Sequence, residues 1–115
     1  MSVVLPSTVS RPLQFDNGCA IGVSNRWRKG QYCVIMTEAG LVGCGIYDVK
    51  TAEHFGQAVA IARGTPQHPL VEPEDLFEAK IVEATKQARE LGVQIGMSGR
   101  EAVERLLAAT KAGAE

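Results

Sequence analysis

Long apolar runs are missing from this 115-residue chain. Stretches without a polar side chain, such as residues 41–47, are far shorter than the roughly 20 residues that cross a bilayer. The first residues also lack the basic start and long apolar segment of a secretory signal. We therefore expect a soluble, cytoplasmic protein with no membrane partner.

Charge of one sign is also missing. Twelve basic residues face 13 acidic ones, for a net charge of -1 and a sequence pI near 6.1. This balance argues against a general electrostatic affinity for nucleic acid. Apolar residues make up 45% of the chain and charged residues 22%, so we expect one packed domain over residues 1–115.

Metal-binding and redox patterns are absent as well. The three cysteines form no C-x-x-C pair, and His54 and His68 do not stand at a metal-ligand spacing. We expect no metal and no cofactor, with Cys19 and Cys33 as buried thiols. Neither a P-loop, a dinucleotide-binding glycine pattern nor H-E-x-x-H occurs, so nucleotide hydrolysis, Rossmann-type redox and zincin chemistry are unlikely functions.

What the sequence does contain is a series of short strands. Asp16-Asn17-Gly18 is a strong hairpin signal, and strands are predicted over residues 12–15, 19–25, 31–37 and 41–47. Short turns between successive strands indicate an antiparallel meander. Residues 1–10 are predicted to be a flexible leader or an arm that adds a strand to a neighbouring subunit.

The strand predicted over residues 31–37 is apolar on both faces. Tyr32, Val34 and Met36 alternate with Cys33 and Ile35. A strand of this kind needs cover on both sides, and the chain has few helices to provide it. This pattern predicts a homo-oligomer, with one mildly apolar exposed face as the alternative.

The second half of the chain has helical signals. Asp48 is placed to cap a short helix that stops at Gly56, and residues 57–62 alternate as a strand. The stripe of apolar residues over 73–91 predicts a long helix ending at Gly92. Ser98 and Glu101 form the pattern of a capping box at the start of a final helix. The expected fold class is α+β, with an antiparallel β-meander in the N-terminal half and two C-terminal helices packed on the sheet.

Three motifs, in order, carry a resemblance to a known family. The string Gly96-Met97-Ser98-Gly99-Arg100-Glu101-Ala102 is similar to the C-terminal signature of the YunC-like proteins, small bacterial and archaeal proteins of unknown function. Cys44-Gly45 followed by Asp48 resembles that family's C-G-x-x-D strand end. Gly56 with residues 58–61 resembles its G-x-A-x-x-x segment.

The resemblance covers about residues 11–107. It implies an α+β fold whose β-rich half mediates homo-oligomerisation to tetramers, and it implies no catalytic residue. The chain departs from the family pattern in a proline-rich connection over residues 63–72 and in the basic turn Arg26-Trp27-Arg28-Lys29. Both departures lie in loops, so any ligand contact that the family makes in these loops is not carried over to this chain.

Two places could hold a small anion. The N-terminus of the last helix offers backbone N–H groups, with Ser98 and Gly99 at the approach and Arg100 as a fork of donors. The alternative is that the capping box itself uses those donors. The basic turn around Trp27 could stack on a base or hold a phosphate, or its tryptophan could bury at a subunit interface.

Cys44 is the candidate nucleophile. Its glycine neighbours leave its surroundings open, and a reactive thiolate needs a base or a positive field. His54 as the base and Asp48 as its orienting partner would complete a catalytic site for acyl or alkyl transfer. The alternative is an inert thiol buried between two glycines.

Two hypotheses from different classes remain. The first is a homo-oligomeric binding or accessory protein that holds a small anionic ligand or a partner protein, with Gly45, Arg63, Ser98, Gly99 and Arg100 as ligand-binding residues. The second is a small thiol-dependent enzyme that uses Cys44, Asp48 and His54, with Arg63 or Arg100 stabilising negative charge. The sequence does not decide between them.

Overall fold

A computed structural model describes residues 5–113 as one six-stranded sheet with helices placed mainly in the C-terminal half. The strands are β1 (Ser7–Phe15), β2 (Gly18–Trp27), β3 (Gly30–Met36), β4 (Leu41–Gly43), β5 (Val59–Arg63) and β6 (Lys80–Ala84). The helices are α1 (Val49–His54), α2 (Lys86–Glu90) and α3 (Gly99–Gly113), with a 3₁₀ helix at Pro73–Leu76. None of the described helices has the length and apolar character needed to cross a bilayer.

The strands lie in the sheet in the same order as in the chain. β1 to β4 form an antiparallel meander, as the short turns predict. β4 and β5 pair in parallel through α1, and β6 returns antiparallel to β5. The architecture confirms the α+β class, and the parallel pair makes the sheet mixed.

The first hairpin is fixed from two sides. Phe15 pairs with Gly18 across Asp16-Asn17, and Gly18 has a φ of 142°, which favours glycine. Glu104 of α3 accepts hydrogen bonds from the backbone N–H groups of Asp16 at 3.2 Å and Asn17 at 3.0 Å. The turn is therefore attached directly to the final helix.

One face of the sheet carries the hydrophobic core. α3 and the 3₁₀ helix lie against it and bury Leu76, Val103 and Leu106 completely. These side chains belong to one apolar cluster with Ile35 and Val42 of the sheet. Burying large aliphatic side chains of this kind contributes roughly 1.5–3 kcal/mol each, before chain entropy is counted.

The helix predicted over residues 73–91 is wrong. Only Pro73–Leu76 and Lys86–Glu90 are helical, and Lys80–Ala84 between them is strand β6. The Thr85 side chain starts α2, because its hydroxyl oxygen accepts from Ala88 N–H at 3.2 Å. The same hydroxyl donates to the Gln57 carbonyl at 2.8 Å, which ties the start of α2 to the approach of β5. Gly92 still ends a helix, although a short one.

Three other expectations change in detail. β1 begins at Ser7, so the end of the predicted leader pairs with β2 of the same chain, while residues 1–4 lie outside the described residues. β4 ends at Gly43 rather than at residue 47, because the chain turns there. Cys33 is buried as expected, but Cys19 is exposed.

The start of α3 depends on a glycine. Gly99 is buried, and a Cβ at this position would overlap the backbone carbonyl oxygen of Leu76. The Gly99 N–H donates to the Ala79 carbonyl at 2.8 Å, so the two backbones lie side by side. Gly45, in contrast, has nothing within 4 Å of the place where a Cβ would stand.

Gly99→Ala should therefore destabilise the protein, because overpacking usually costs about 1–3 kcal/mol. The helix preference of alanine over glycine, roughly 1 kcal/mol, offsets part of that cost. Urea unfolding of the variant measures the difference. Gly45→Ala is the matched control and should leave the midpoint nearly unchanged. Equal stability of the Gly99→Ala variant and the unsubstituted protein would contradict the close approach.

Candidate functional site: a pair of thiols at the end of β4

Cys33 and Cys44 face each other at the end of the β3–β4 pair. The register places Val34 opposite Gly43, and the next step brings Cys33 opposite Cys44. The Cys44 N–H donates to the Cys33 carbonyl at 3.3 Å, which extends the pairing by this one residue. Cys33 is fully buried in the core cluster, and Cys44 is 9% exposed. The two thiols therefore lie between the core and the surface.

The Cys33 and Cys44 side chains interact, and this interaction separates their acidities. The interaction, followed by burial, raises the pKa of Cys33, so Cys33 keeps its proton. It is also the largest influence on Cys44, and it lowers the pKa of Cys44 to about 5 against the opposing effect of burial. Cys44 is then the thiolate at neutral pH.

The turn after β4 shapes the space around Cys44. Tyr47 N–H donates to the Cys44 carbonyl at 3.4 Å, and the Tyr47 ring covers Gly43. Burial, together with the charges of Tyr32 and the two cysteines, raises the pKa of Tyr47 to about 12, so its hydroxyl stays neutral. Gly45 leaves the approach to the turn open. The predicted openness around Cys44 therefore comes from Gly45, while Tyr47 fills the side of Gly43.

The structure does not join the proposed catalytic partners of Cys44. Asp48 caps α1 by accepting from Lys50 N–H at 3.2 Å and from the Thr51 hydroxyl at 2.6 Å, and these bonds lower its pKa. The ring of His54 lies at the exposed end of α1, with its centroid 5.4 Å from that of Phe55. Within the described part of the chain, no hydrogen bond connects His54 to Asp48 or to Cys44.

The backbone N–H groups at the N-terminus of α3 bind acceptors within the described residues. Gly99 N–H and Arg100 N–H bind the carbonyls of Ala79 and Phe77, at 2.8 and 3.2 Å. Glu101 N–H donates to the Ser98 hydroxyl at 3.1 Å, so Ser98 caps the helix as predicted. The guanidinium of Arg100 lies 4.5 Å from the centroid of the Phe77 ring. These contacts use the backbone N–H groups that the predicted anion site would offer, and Arg100 lies against an aromatic ring.

Arg63 lines a separate groove of about 780 Å³. It stands opposite Lys80 in the β5–β6 pair, and Lys80 in turn forms a bridge with Ser98. Both cations line the groove together with His68 and Glu78. The structure thus brings Arg63 and Ser98 to the same edge of the sheet, with β6 between them.

The basic turn around Trp27 is a β-hairpin end. Arg26 forms an ion pair with Glu72, and the Trp27 ring covers Gly30 and lies 5.9 Å from the ring of Tyr32.

Among the described residues, no group of three or more histidine, cysteine or acidic side chains is placed to hold a metal ion.

Sequence reasoning missed Cys33 as part of the site. The available signal was the turn between β3 and β4, in which Thr37 N–H donates to the Gly40 carbonyl at 2.8 Å. Counting outward from a two-residue turn at Glu38 and Ala39 brings Cys33 opposite Cys44. A turn of three residues at 38–40, as predicted, shifts that pairing by one and hides it.

Comparisons with known proteins give a family and a fold. The crystal structure of a protein of unknown function, TA1206 from Thermoplasma acidophilum, is similar to this chain with a TM-score of 0.77 and 17% identity. The similarity covers 92% of this chain and 99% of that one, and at this identity it supports the fold alone. A search of curated proteins found no match. The sequence profile of a domain of unknown function, DUF1805, matches residues 43–106, a segment that begins just before Cys44 and ends within α3, and the chain belongs to this family.

Proposed function

We propose that this protein performs thiol-dependent chemistry with Cys44 as its nucleophile. The observation that carries the proposal is the position of Cys44 at the end of β4, directly opposite Cys33 and 9% exposed, where the interaction with Cys33 lowers the pKa of Cys44 to about 5. A thiolate is the reactive form of cysteine, and donated hydrogen bonds favour it. A base such as His54 is not required when the thiol is already ionised.

The surroundings of Cys44 suit a small electrophile. The residue is mostly buried, but Gly45 next to it leaves open space on the outer side of the turn. Cys33 lies behind Cys44 in the core cluster and therefore leaves the outer side free. A reagent would approach past Gly45 and meet the sulfur from outside.

Alkylation by iodoacetamide tests this proposal. Cys44 should react at nearly the same rate at pH 6 and pH 8, because its pKa of about 5 leaves it ionised throughout. An ordinary thiol gains roughly a hundredfold in rate over that range. Peptide mass spectrometry assigns the labelled residue, and Cys44→Ser identifies the background. The proposal fails if Cys44 in the folded protein is labelled no faster than the buried Cys33.

We also infer that the protein is a homo-oligomer, as large as a tetramer, assembled through the sheet face opposite α3. The register puts fifteen positions of β1 to β4 on this face, and none is charged. We call it the uncharged face; it consists of Thr8, Ser10, Pro12, Gln14, Cys19, Ile21, Val23, Asn25, Trp27, Gly30, Tyr32, Val34, Met36, Leu41 and Gly43. Absence of charge is typical of the centre of subunit interfaces.

The exposed apolar residues of the uncharged face support a second copy as its cover. Ile21 and Met36 stand side by side across β2 and β3 and are 39% and 41% exposed. Trp27 at the hairpin end is 44% exposed on the same face. A face without charges can meet its own copy without placing like charges together.

Ile21→Lys should shift the oligomer toward the monomer, because a lysine ammonium would be buried against apolar side chains. Val9→Lys is the matched control, since Val9 is 53% exposed on the opposite face of β1. Native mass spectrometry measures subunit number and any retained small molecule together. A monomer in the unsubstituted protein would contradict the oligomer.

The second candidate function is binding of a small anionic ligand in the groove beside Arg63. Its volume of about 780 Å³ falls within the roughly 300–1,000 Å³ of ligand pockets. Arg63 and Lys80 provide paired cations. Of the three carboxylates that line the groove, Glu74 pairs with Arg11 and Asp75 accepts from the backbone of Glu72, while Glu78 adds a negative charge.

The signature Gly96–Ala102 further supports placing the chain among the YunC-like proteins within its family.

A further inference from the structure

The position of Cys33 indicates a role beyond its effect on the acidity of Cys44. It is fully buried, directly opposite Cys44, and part of the core cluster with Ile35 and Val42. Its cross-strand neighbour in β2 is Ser24, whose hydroxyl donates to the Val71 carbonyl at 3.2 Å. Cys33 therefore faces one other sulfur, that of Cys44, within the described residues.

We propose that Cys33 is the resolving thiol for Cys44, and that the pair reduces a hydroperoxide and becomes a disulfide. This inference rests on the proposed function, because it begins with the Cys44 nucleophile. It adds the substrate class and the role of a second residue.

The chemistry takes two steps. The Cys44 thiolate attacks one oxygen of the hydroperoxide, the O–O bond breaks, and the departing alkoxide or hydroxide takes a proton from water; Cys44 becomes a sulfenic acid. The Cys33 sulfur then attacks the Cys44 sulfur, its proton leaves with the sulfenic oxygen as water, and an S–S bond forms. Two electrons pass from the two sulfurs to the peroxide, which becomes an alcohol or water.

The backbone geometry suits this second step. Directly opposite residues in antiparallel strands have Cα atoms about 4.5–5.5 Å apart, and disulfides span about 4.4–6.8 Å. The Cys44 N–H donates to the Cys33 carbonyl at 3.3 Å, so the two residues form a directly opposite pair with both side chains on the same face. The backbone spacing of β3 and β4 is therefore compatible with an S–S bond between them.

Access favours a peroxide over a larger oxidant. Cys44 is 9% exposed and is reached past Gly45, so a small molecule enters more easily than a disulfide-bearing peptide. Cys19 is not a competing partner within the chain. It lies on the uncharged face of β2, five residues along the strand from Ser24, which is about 17 Å at the usual rise.

One tryptic peptide contains both thiols. Cleavage after Lys29 and Lys50 releases residues 30–50 with Cys33 and Cys44, whereas Cys19 falls in a different peptide. The protein is treated with one equivalent of hydrogen peroxide, remaining thiols are alkylated, and the digest is weighed without reduction. In the control, catalase destroys the peroxide before the protein is added.

The inference predicts that peptide 30–50 loses the mass of two hydrogen atoms and takes up no alkyl group, while Cys19 is alkylated. In Cys33→Ser, Cys44 should instead accumulate as sulfenic acid that dimedone captures, rising from near zero to most of the protein. If the unsubstituted protein accumulates a Cys44 sulfenic or sulfinic acid while Cys33 stays a free thiol, the resolving role is overturned but the role of Cys44 as nucleophile is not. A disulfide that includes Cys19 would have the same consequence. If peroxide leaves Cys44 unmodified, the peroxide inference fails; if Cys44 also resists iodoacetamide, the proposed function fails with it.

Discussion

The antiparallel register of β3 and β4 is the constraint on which the candidate site depends. It brings Cys33 opposite Cys44 on the face covered by the C-terminal half of the chain. A shift of one residue would turn one sulfur to the other face and separate the two thiols. The two-residue turn at Glu38 and Ala39 sets this register, with the Thr37 hydroxyl donating to the Gly40 carbonyl at 2.8 Å. The acidity of Cys44 is thus a consequence of strand pairing.

The C-terminal half holds that sheet face in place by direct attachments. Glu104 binds the β1–β2 turn, and Gly99 lies against the backbone of Leu76. Arg11 of β1 bonds to Glu74 and Glu72 beside the 3₁₀ helix, which lowers the pKa of Glu74. Exposed ion pairs of this kind contribute little stability each. The core that buries Cys33 depends on these contacts between distant parts of the chain.

On the opposite face, apolar side chains of β2 and β3 remain exposed. Tyr47 covers Gly43, and α1 and α2 contact β5, but Ile21 and Met36 remain exposed. The core face and the uncharged face belong to the same strands. A subunit interface on the uncharged face would therefore be one sheet thickness from the thiols. Assembly and thiol chemistry would then use opposite sides of β3 and β4.

Local signals predicted much of this fold correctly. Asp16-Asn17-Gly18 marked the first hairpin, Asp48 marked the start of α1, and Ser98 marked the cap of α3, because each uses contacts within a few residues. β6 was missed because Ile81 and Ala84 fit a helical stripe together with Ala88, whereas β6 is a strand because it pairs with β5, which is distant in the sequence. Within the site, Cys44 was predicted as the nucleophile, but its partner depends on a turn length that residue types alone leave open. His54 and Asp48 were grouped with Cys44 by nearness in sequence, and the cap of α1 uses Asp48 instead.

The most direct test of this account is an acid titration of thiolate ultraviolet absorption in the folded protein. We predict one step near pH 5, which Cys44→Ser abolishes. Cys33→Ala should move the step to higher pH by removing the donor, whereas Cys33→Ser should keep most of the effect because its hydroxyl can still donate. If thiolate absorption first appears near pH 8–9, where free cysteine ionises, Cys44 is an ordinary thiol and the account is wrong.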